Sequence, residues 1–398
     1  MTSETQDYLK NATKGKAEFQ EGYNPTKSHA TNSAYTPPGR LGNPKLELGD
    51  DPRIHDGLAE QFKAFGMLKH ATPAALAKLN EDSSLDEIAE MISEFENGLL
   101  MMYDGVVLPQ DIPEDAKAPK VEMTQETIKG GDGQDMVLYI YHPADQKESL
   151  PGVIYTHGGG MTIASTMNAV HDRWCKSIAE QGCVVVMTDF RNAYTKSGYN
   201  HFPKGLQDCV AGAKWVIQNK EKLRMSNFVL QGESGGCNLA IATAISANRE
   251  GWVKDIAGVV GMVPFVSGAY GWSEERLLKE YPSLVECNGY FLDRPATAFL
   301  AHFYTPTDEG KTDPLAWPIN ATSKDLKGLP PHLLMMDELD MLRDEGVAFT
   351  RKLIKAGVDV KGSINLGVTH GTSLIFRHAT KEYNKDAVRN VASFAKSL

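Results

Sequence analysis

The chain has 398 residues, 41% of them hydrophobic and 23% charged, which is enough apolar material for a large core and too much for a disordered chain. A formal net charge of −10 argues against a surface built for nucleic acid or an anionic membrane. The N-terminal MTSETQDYLKNATKGK lacks the apolar core of a secretory signal and no apolar run reaches the roughly 18 residues of a membrane helix, so the expected location is cytoplasmic, without membrane insertion.

Residues 1 to about 50 are polar and rich in Asn, Thr, Gly and Pro, a composition that wraps or dangles more readily than it packs. It is compatible with a free arm, with packing against the rest of the chain, or with a subunit contact in a homo-oligomer. From Asp50 to about Tyr103 the period is helical: GLAEQFKAFGMLK, then TPAALAKLN with Pro73 near its start, then SSLDEIAEMISEFENGLLMMY with Ser84 as cap. Past the linker VLPQDIPEDAKAPK, VEMTQETIKG and DMVLYIYHP alternate like two antiparallel strands joined by the turn GGDGQD. The division predicted is therefore an N-terminal arm and helical region over 1–120 and an α/β domain over 121–398.

In that domain strands and helices alternate. The strand PGVIYTH precedes the helix NAVHDRWCKSIAEQG, with Val170, Trp174 and Ile178 on one face and Gly182 as its stop. CVVVMTDF with LQDCVAGAKWVIQN, and NFVLQ with the helix after GESGG, repeat the unit. DIAGVVGMV, then PHLLMM with LRDEGVAFTRKLIKAG, continue it, and VDVKGSINL and the helix AVRNVASFAKSL close the chain. Repeated β-α units predict an α/β fold with a mostly parallel, doubly wound sheet whose sites lie at the carboxyl ends of the strands. Residues 264–306 are too long and too aromatic for a plain loop and are expected to add helices above the sheet.

Gly232-x-Ser234-x-Gly236 falls between the strand NFVLQ and an apolar helix, the context in which small neighbours permit a tight turn that exposes a serine hydroxyl at a helix N-terminus. A serine hydroxyl needs a base, and the base needs an acid to hold its tautomer. His370, in a glycine-containing loop after a late strand, fits the base. His332 opens a strand at the wrong end, and His378 lies in the apolar stretch SLIFRH. Three aspartates compete for the acid: Asp337 is close to a strand end, Asp344 falls in the first turn of a helix, and Asp340, in the loop between them, is preferred. The order Ser234, Asp340, His370 is that of an α/β hydrolase. An oxyanion formed by serine attack needs fixed N–H donors, and the bare backbone of the triple glycine in YTHGGGMTI supplies them: Gly159 and Gly160, with Gly235 after the nucleophile and His157 bracing the turn. A methyl group at Gly159 or Gly160 is expected to lower kcat far more than it disturbs folding. The rival reading, a phosphate cradle, lacks both GxGxxG and a G-K-[ST] ending. Five cysteines without C-x-x-C spacing signal neither a disulfide framework nor a zinc site.

THGGGMT, GESGG, ELDMLRDEG and GVTHGT, in that order across about residues 120–398, resemble the hormone-sensitive-lipase-like family of α/β-hydrolase esterases. Two departures stand out: the family's usual G-D-S-A-G reads G-E-S-G-G, and Y-R-L-A-P-E reads Phe190-Arg191-Asn192-Ala193-Tyr194-Thr195. With RWC and VVVMTDFRNA these are similar to the brefeldin A esterase branch, whose namesake opens a macrocyclic lactone. The resemblance implies an eight-stranded sheet under a helical cap built from the N-terminal helices and the 264–306 insertion. It also implies a serine carboxylesterase acting on small to medium apolar esters or lactones without metal or organic cofactor. Met101, Met102, Tyr103 and Met161 are then candidates to line the substrate pocket, with a core role as the alternative. Other functions remain open: a non-catalytic ligand receptor on the same fold, like the plant gibberellin receptors, which do not retain the histidine that this chain has at His370, or a thioester or peptide hydrolase.

Overall fold

Val121–Lys129 (β1) and Asp135–Pro143 (β2) pair antiparallel across the predicted turn, with Met136, Leu138 and Ile140 buried at alternate positions of β2. The computed structural model describes residues 40, 43, 45–70, 74–105 and 117–398; the expectations for residues 1–39, for Pro73 and for linker positions 106–116 lie outside the described residues. The sheet continues through Leu150–Thr156 (β3), Val184–Thr188 (β4), Met225–Glu233 (β5), Gly258–Met262 (β6), His332–Asp337 (β7) and Val360–Asn365 (β8). Its eight strands run in the order β1-β2-β4-β3-β5-β6-β7-β8. Only β2 opposes its neighbours; every other pairing is parallel. The inner strands β4 and β6 are buried at every position, which is why VVVMT and GVVGM read as continuous apolar runs instead of alternating.

Ahead of the sheet, Asp56–Ala64 (α1) and Leu85–Gly105 (α2) supply the predicted helical region. Ser84 caps α2 as expected: its N–H donates to Glu87 Oε2 at 2.8 Å, and the Glu87 N–H donates back to Ser84 Oγ at 3.3 Å. TPAALAKLN departs from the expectation, since its described part forms only a short 3-10 turn over Ala74–Lys78. The helices between strands are Ala169–Glu180 (α3), Lys204–Gln218 (α4) and Gly235–Glu250 (α5). Glu274–Glu280 (α6), Ser283–Glu286 (α7) and Arg294–Tyr304 (α8) occupy the 264–306 segment. Arg343–Lys355 (α9), Thr372–Ile375 (α10) and Lys381–Ser397 (α11) complete the chain, the last starting ahead of the predicted Ala387.

Two apolar cores lie on the two faces of the sheet. One joins Trp174, Ile178 and Val391 to Phe62 and Ile92 of the N-terminal helices, and the other packs Val216, Ile241 and Phe349. The arginine kept inside the divergent FRNAYT stretch has a bracing role. Arg191 Nε and Nη2 donate to the two oxygens of the buried Asp208 at 2.8 and 3.0 Å, fixing the exit of β4 against α4. Glu345 on α9 accepts from Val266 N at 2.6 Å and from the Tyr270 hydroxyl at 2.8 Å, tying the start of the 264–306 segment to the helix after β7. All five cysteines are free and buried. Among the described residues no helix is long and apolar enough to cross a membrane.

Candidate active site

Ser234 sits alone between β5 and α5 with φ 55° and ψ −122°, a region that a side chain rarely adopts. The flanking glycines make this turn feasible. A Cβ on Gly232 would lie 2.3 Å from the Gly236 carbonyl carbon, and one on Gly236 would lie 1.9 Å from the Thr156 oxygen. Ser234 and His370 line the same cavity of about 430 Å³ at the carboxyl ends of the strands.

His370 follows β8 in the loop before α10, and its Nδ1 lies 2.8 Å from Asp340 Oδ2. Asp340 is fully buried, and its other oxygen accepts the Leu342 N–H at 3.0 Å. This leaves the Nδ1–H as the donor to the carboxylate and Nε2 free of that pair. Burial is the largest single influence and disfavours the imidazolium, but the charge and hydrogen bond of Asp340, with the charges of Asp337 and Glu233, together outweigh it, and the His370 pKa is raised. The other candidate acids are engaged elsewhere. Asp337, at the end of β7, accepts from Asn365 Nδ2 at 2.9 Å, and burial pushes its carboxyl up to about 7. Asp344 accepts the Ser283 N–H at 2.7 Å and an Arg343 N–H at 3.0 Å. His332 bonds to Pro330 O at the opening end of β7, and neither it nor His378 lines the cavity.

The triple glycine leaves β3 and bends over the start of α5. The position of a Cβ on Gly235 falls 2.7 Å from Gly160 N and 2.5 Å from Met161 N, so the backbones of the two segments touch. Among the described hydrogen bonds none uses the N–H of Gly159 or Gly160. The two glycines differ in what a methyl group would do, which corrects the expectation for Gly159. At φ +105° its Cβ would stand 2.2 Å from the Ile163 oxygen, so alanine there breaks the turn itself. At Gly160, φ +62°, the nearest atom is 3.8 Å away, and this is the position where alanine perturbs the loop with least collateral damage. His157 is buried, stacked between His171 and Phe190 with centroids at 4.9 and 4.4 Å, and its Nδ1–H donates to Gly158 O at 2.7 Å. Burial holds its pKa down to about 4, so it braces the turn as a neutral ring.

Glu233, the residue that departs from the family's usual Asp, was not among the candidate residues. Its Oε1 accepts the Gly158 N–H at 2.6 Å and the Tyr155 hydroxyl at 3.0 Å, stitching the glycine loop to the residue before Ser234. Burial pushes its carboxyl up to about 8 against the opposing effect of those two hydrogen bonds. The departure itself was the signal: an acid beside the serine, longer by one methylene, has farther to reach.

The cavity is largely apolar. Met91, Phe95, Leu99 and Met102 line it at successive turns of α2, with Phe291 and Leu300 from the 264–306 segment opposite them. Of the four proposed pocket residues, Met102 and Tyr103 line it. Met101 lies on the opposite side of α2 with 74% of its surface exposed, and Met161 is buried but does not line it.

Fold and site geometry together define an α/β hydrolase. A family model described as the alpha/beta hydrolase fold matches residues 153–374. Among solved structures, brefeldin A esterase, a bacterial homologue of human hormone-sensitive lipase, superposes with a TM-score of 0.87 at 44% identity, covering 91% of this chain and 99% of that one. The carboxylesterase NlhH of Mycobacterium tuberculosis is 29% identical over 259 residues, 64% of this chain and 76% of that protein. The gibberellin receptor GID1B of Arabidopsis thaliana is 27% identical over 231 residues, 56% of this chain and 60% of the receptor. The chain belongs to the α/β-hydrolase fold family, among its hormone-sensitive-lipase-like carboxylic ester hydrolases.

Proposed function

We propose that the protein is a serine carboxylesterase that cleaves small to medium, neutral apolar esters or lactones through an acyl-enzyme on Ser234. The observation that carries this reading is the 2.8 Å bond between His370 and Asp340, with His370 and Ser234 lining one apolar cavity. Ser234 Oγ attacks the ester carbonyl while His370 Nε2 takes its proton, and Asp340 stabilises the imidazolium through Nδ1–H. The tetrahedral oxyanion accepts from the N–H groups of Gly159, Gly160 and Gly235, contacts worth about 3–4 kcal/mol each. Collapse breaks the bond to the alcohol oxygen, which leaves with the proton from His370. Water then attacks the acyl carbonyl, with His370 as base, and releases the acid and free Ser234. The apolar lining and a volume of about 430 Å³ support a neutral ester of moderate size. Five buried free thiols support a reducing, cytoplasmic setting.

The similarity to a gibberellin receptor favours a second reading, ligand binding without turnover. A panel of p-nitrophenyl esters from acetate to laurate, a macrolactone, a thioester and a peptide separates the possibilities. The expected result is highest kcat/KM on short to medium acyl chains. Absence of turnover on every ester would favour the receptor, and a preference for the thioester or peptide would redirect the substrate assignment.

A further inference from the structure

The acid loop after β7 and the base loop after β8 are gripped from outside the sheet. Glu286, the last residue of α7, accepts from two guanidinium groups: Arg53 Nη1 donates to Oε1 at 3.1 Å and Arg343 Nη2 to Oε2 at 3.0 Å. Arg343 Nη1 also donates to the Glu338 carbonyl at 2.8 Å. The Glu338 side chain accepts the Gly367 N–H at 2.7 Å, and the Gly367 carbonyl accepts the His55 N–H at 2.8 Å. His55 lies two residues from Arg53, so the contacts close into a ring through four segments that are far apart in sequence. Contact at Gly367 is tight, since a Cβ there would stand 2.6 Å from the Arg53 oxygen. Asp340 follows Glu338 and His370 follows Gly367, each within a few residues of a gripped point.

We propose that Glu286, Glu338 and the segment Asp51–His55 form a clamp that holds Asp340 in register with His370, making residues ahead of the sheet part of the positioning of the acid and base. The inference rests on the proposed roles of Ser234, His370 and Asp340. The physical need is clear: both partners sit on loops, and displacement of a catalytic group by about 1 Å costs on the order of 100-fold in rate. The ion pairs can supply the restraint because they are shielded, with side-chain exposures of 19% for Arg53, 16% for Arg343 and 10% for Glu286. Each arginine also holds a second carboxylate, Arg53 with Asp51 at 2.8 Å and Arg343 with Asp344 at 3.0 Å. Loss of Glu286 therefore opens the ring without stranding a bare cation.

The test uses the full chain carrying Glu286→Gln, Glu338→Ala or both. It reads the rate at which a fluorophosphonate labels Ser234, kcat and KM for p-nitrophenyl butyrate, and the pH profile of kcat/KM. Each single variant is expected to lower kcat and labelling by about 10-fold with KM within about twofold. The inflexion should move to lower pH, because Asp340 supports the imidazolium less well while Asp337 and Glu233, the other carboxyls facing His370, stay in place. Coupling through one ring predicts that the double variant falls little below the worse single one. Wild-type labelling and profile in folded variants, losses confined to KM, or losses that multiply in the double variant would overturn the clamp. If Glu286→Gln fails to fold, Arg53→Lys, which keeps the charge and loses the fork, is read against the same outcomes. A wild-type chain that the fluorophosphonate does not label would instead remove the proposed function beneath it.

Discussion

Ser234→Ala is expected to lower kcat on a p-nitrophenyl ester by about 10⁵- to 10⁶-fold, with KM changed by no more than about threefold. The asymmetry follows from the site. The cavity proposed to take the substrate is lined by apolar side chains on α2 and the 264–306 segment, which the substitution leaves in place, whereas the proposed acyl-enzyme route needs the hydroxyl. Residual catalysis over water should persist, because the N–H groups of the glycine loop still meet developing negative charge. Alanine keeps the Cβ at a position already holding φ 55°, so the thermal midpoint should stay within a few degrees of wild type. A variant that retains even a tenth of wild-type kcat would mean that another group attacks the ester.

Asp340→Asn should be the next most damaging change, at about 10⁴-fold in kcat, while Asp337→Asn costs less than about 10-fold. Asparagine at position 340 can present its NH₂ to His370 Nδ1, favouring the tautomer whose Nε2 carries the proton and cannot act as base. Asp337 accepts a hydrogen bond from Asn365 and acts on His370 as a nearby charge. The pH dependence gives a second reading with a definite sign. The base must be neutral, and the His370 pKa is raised, so kcat/KM rises with pH through an inflexion above the ordinary histidine value of about 6.5. Removing the Asp340 carboxylate removes the main support of the imidazolium, so the inflexion should fall. Should Asp337→Asn prove the severe variant, the acid has been assigned to the wrong aspartate.

The doubly wound sheet was legible because its signals are local. Runs such as VVVMT and GVVGM announce buried strands, and Trp174 with Ile178 marks the buried face of α3. Ser234 and His370 are legible as candidates because backbone geometry forces small residues around such a strand-to-helix turn and because chain order restricts where a candidate base can lie. The choice among three aspartates was harder, since each occupies a loop or helix start where an acid is unremarkable. It is the bond at 2.8 Å that separates Asp340 from the other two. What escaped the sequence depends on contacts between distant segments. Nothing in GESGG says that Glu233 reaches back to Gly158, and nothing near Arg53 announces Glu286. The pocket assignments show the same limit: Met101, Met102 and Tyr103 are adjacent and equally plausible in the sequence, but the 100° step of a helix turns Met102 inward and Met101 out to solvent.

Everything proposed for the site requires Ser234 to be a nucleophile activated by His370. The deciding measurement treats the intact protein with a fluorophosphonate and maps the adduct by peptide mass spectrometry while following loss of esterase activity. One adduct per chain is expected, on the peptide bearing Ser234, formed in step with complete inactivation and absent from His370→Ala on the same timescale. Inactivation with the adduct on another residue, or full labelling of Ser234 with esterase activity intact, would contradict it.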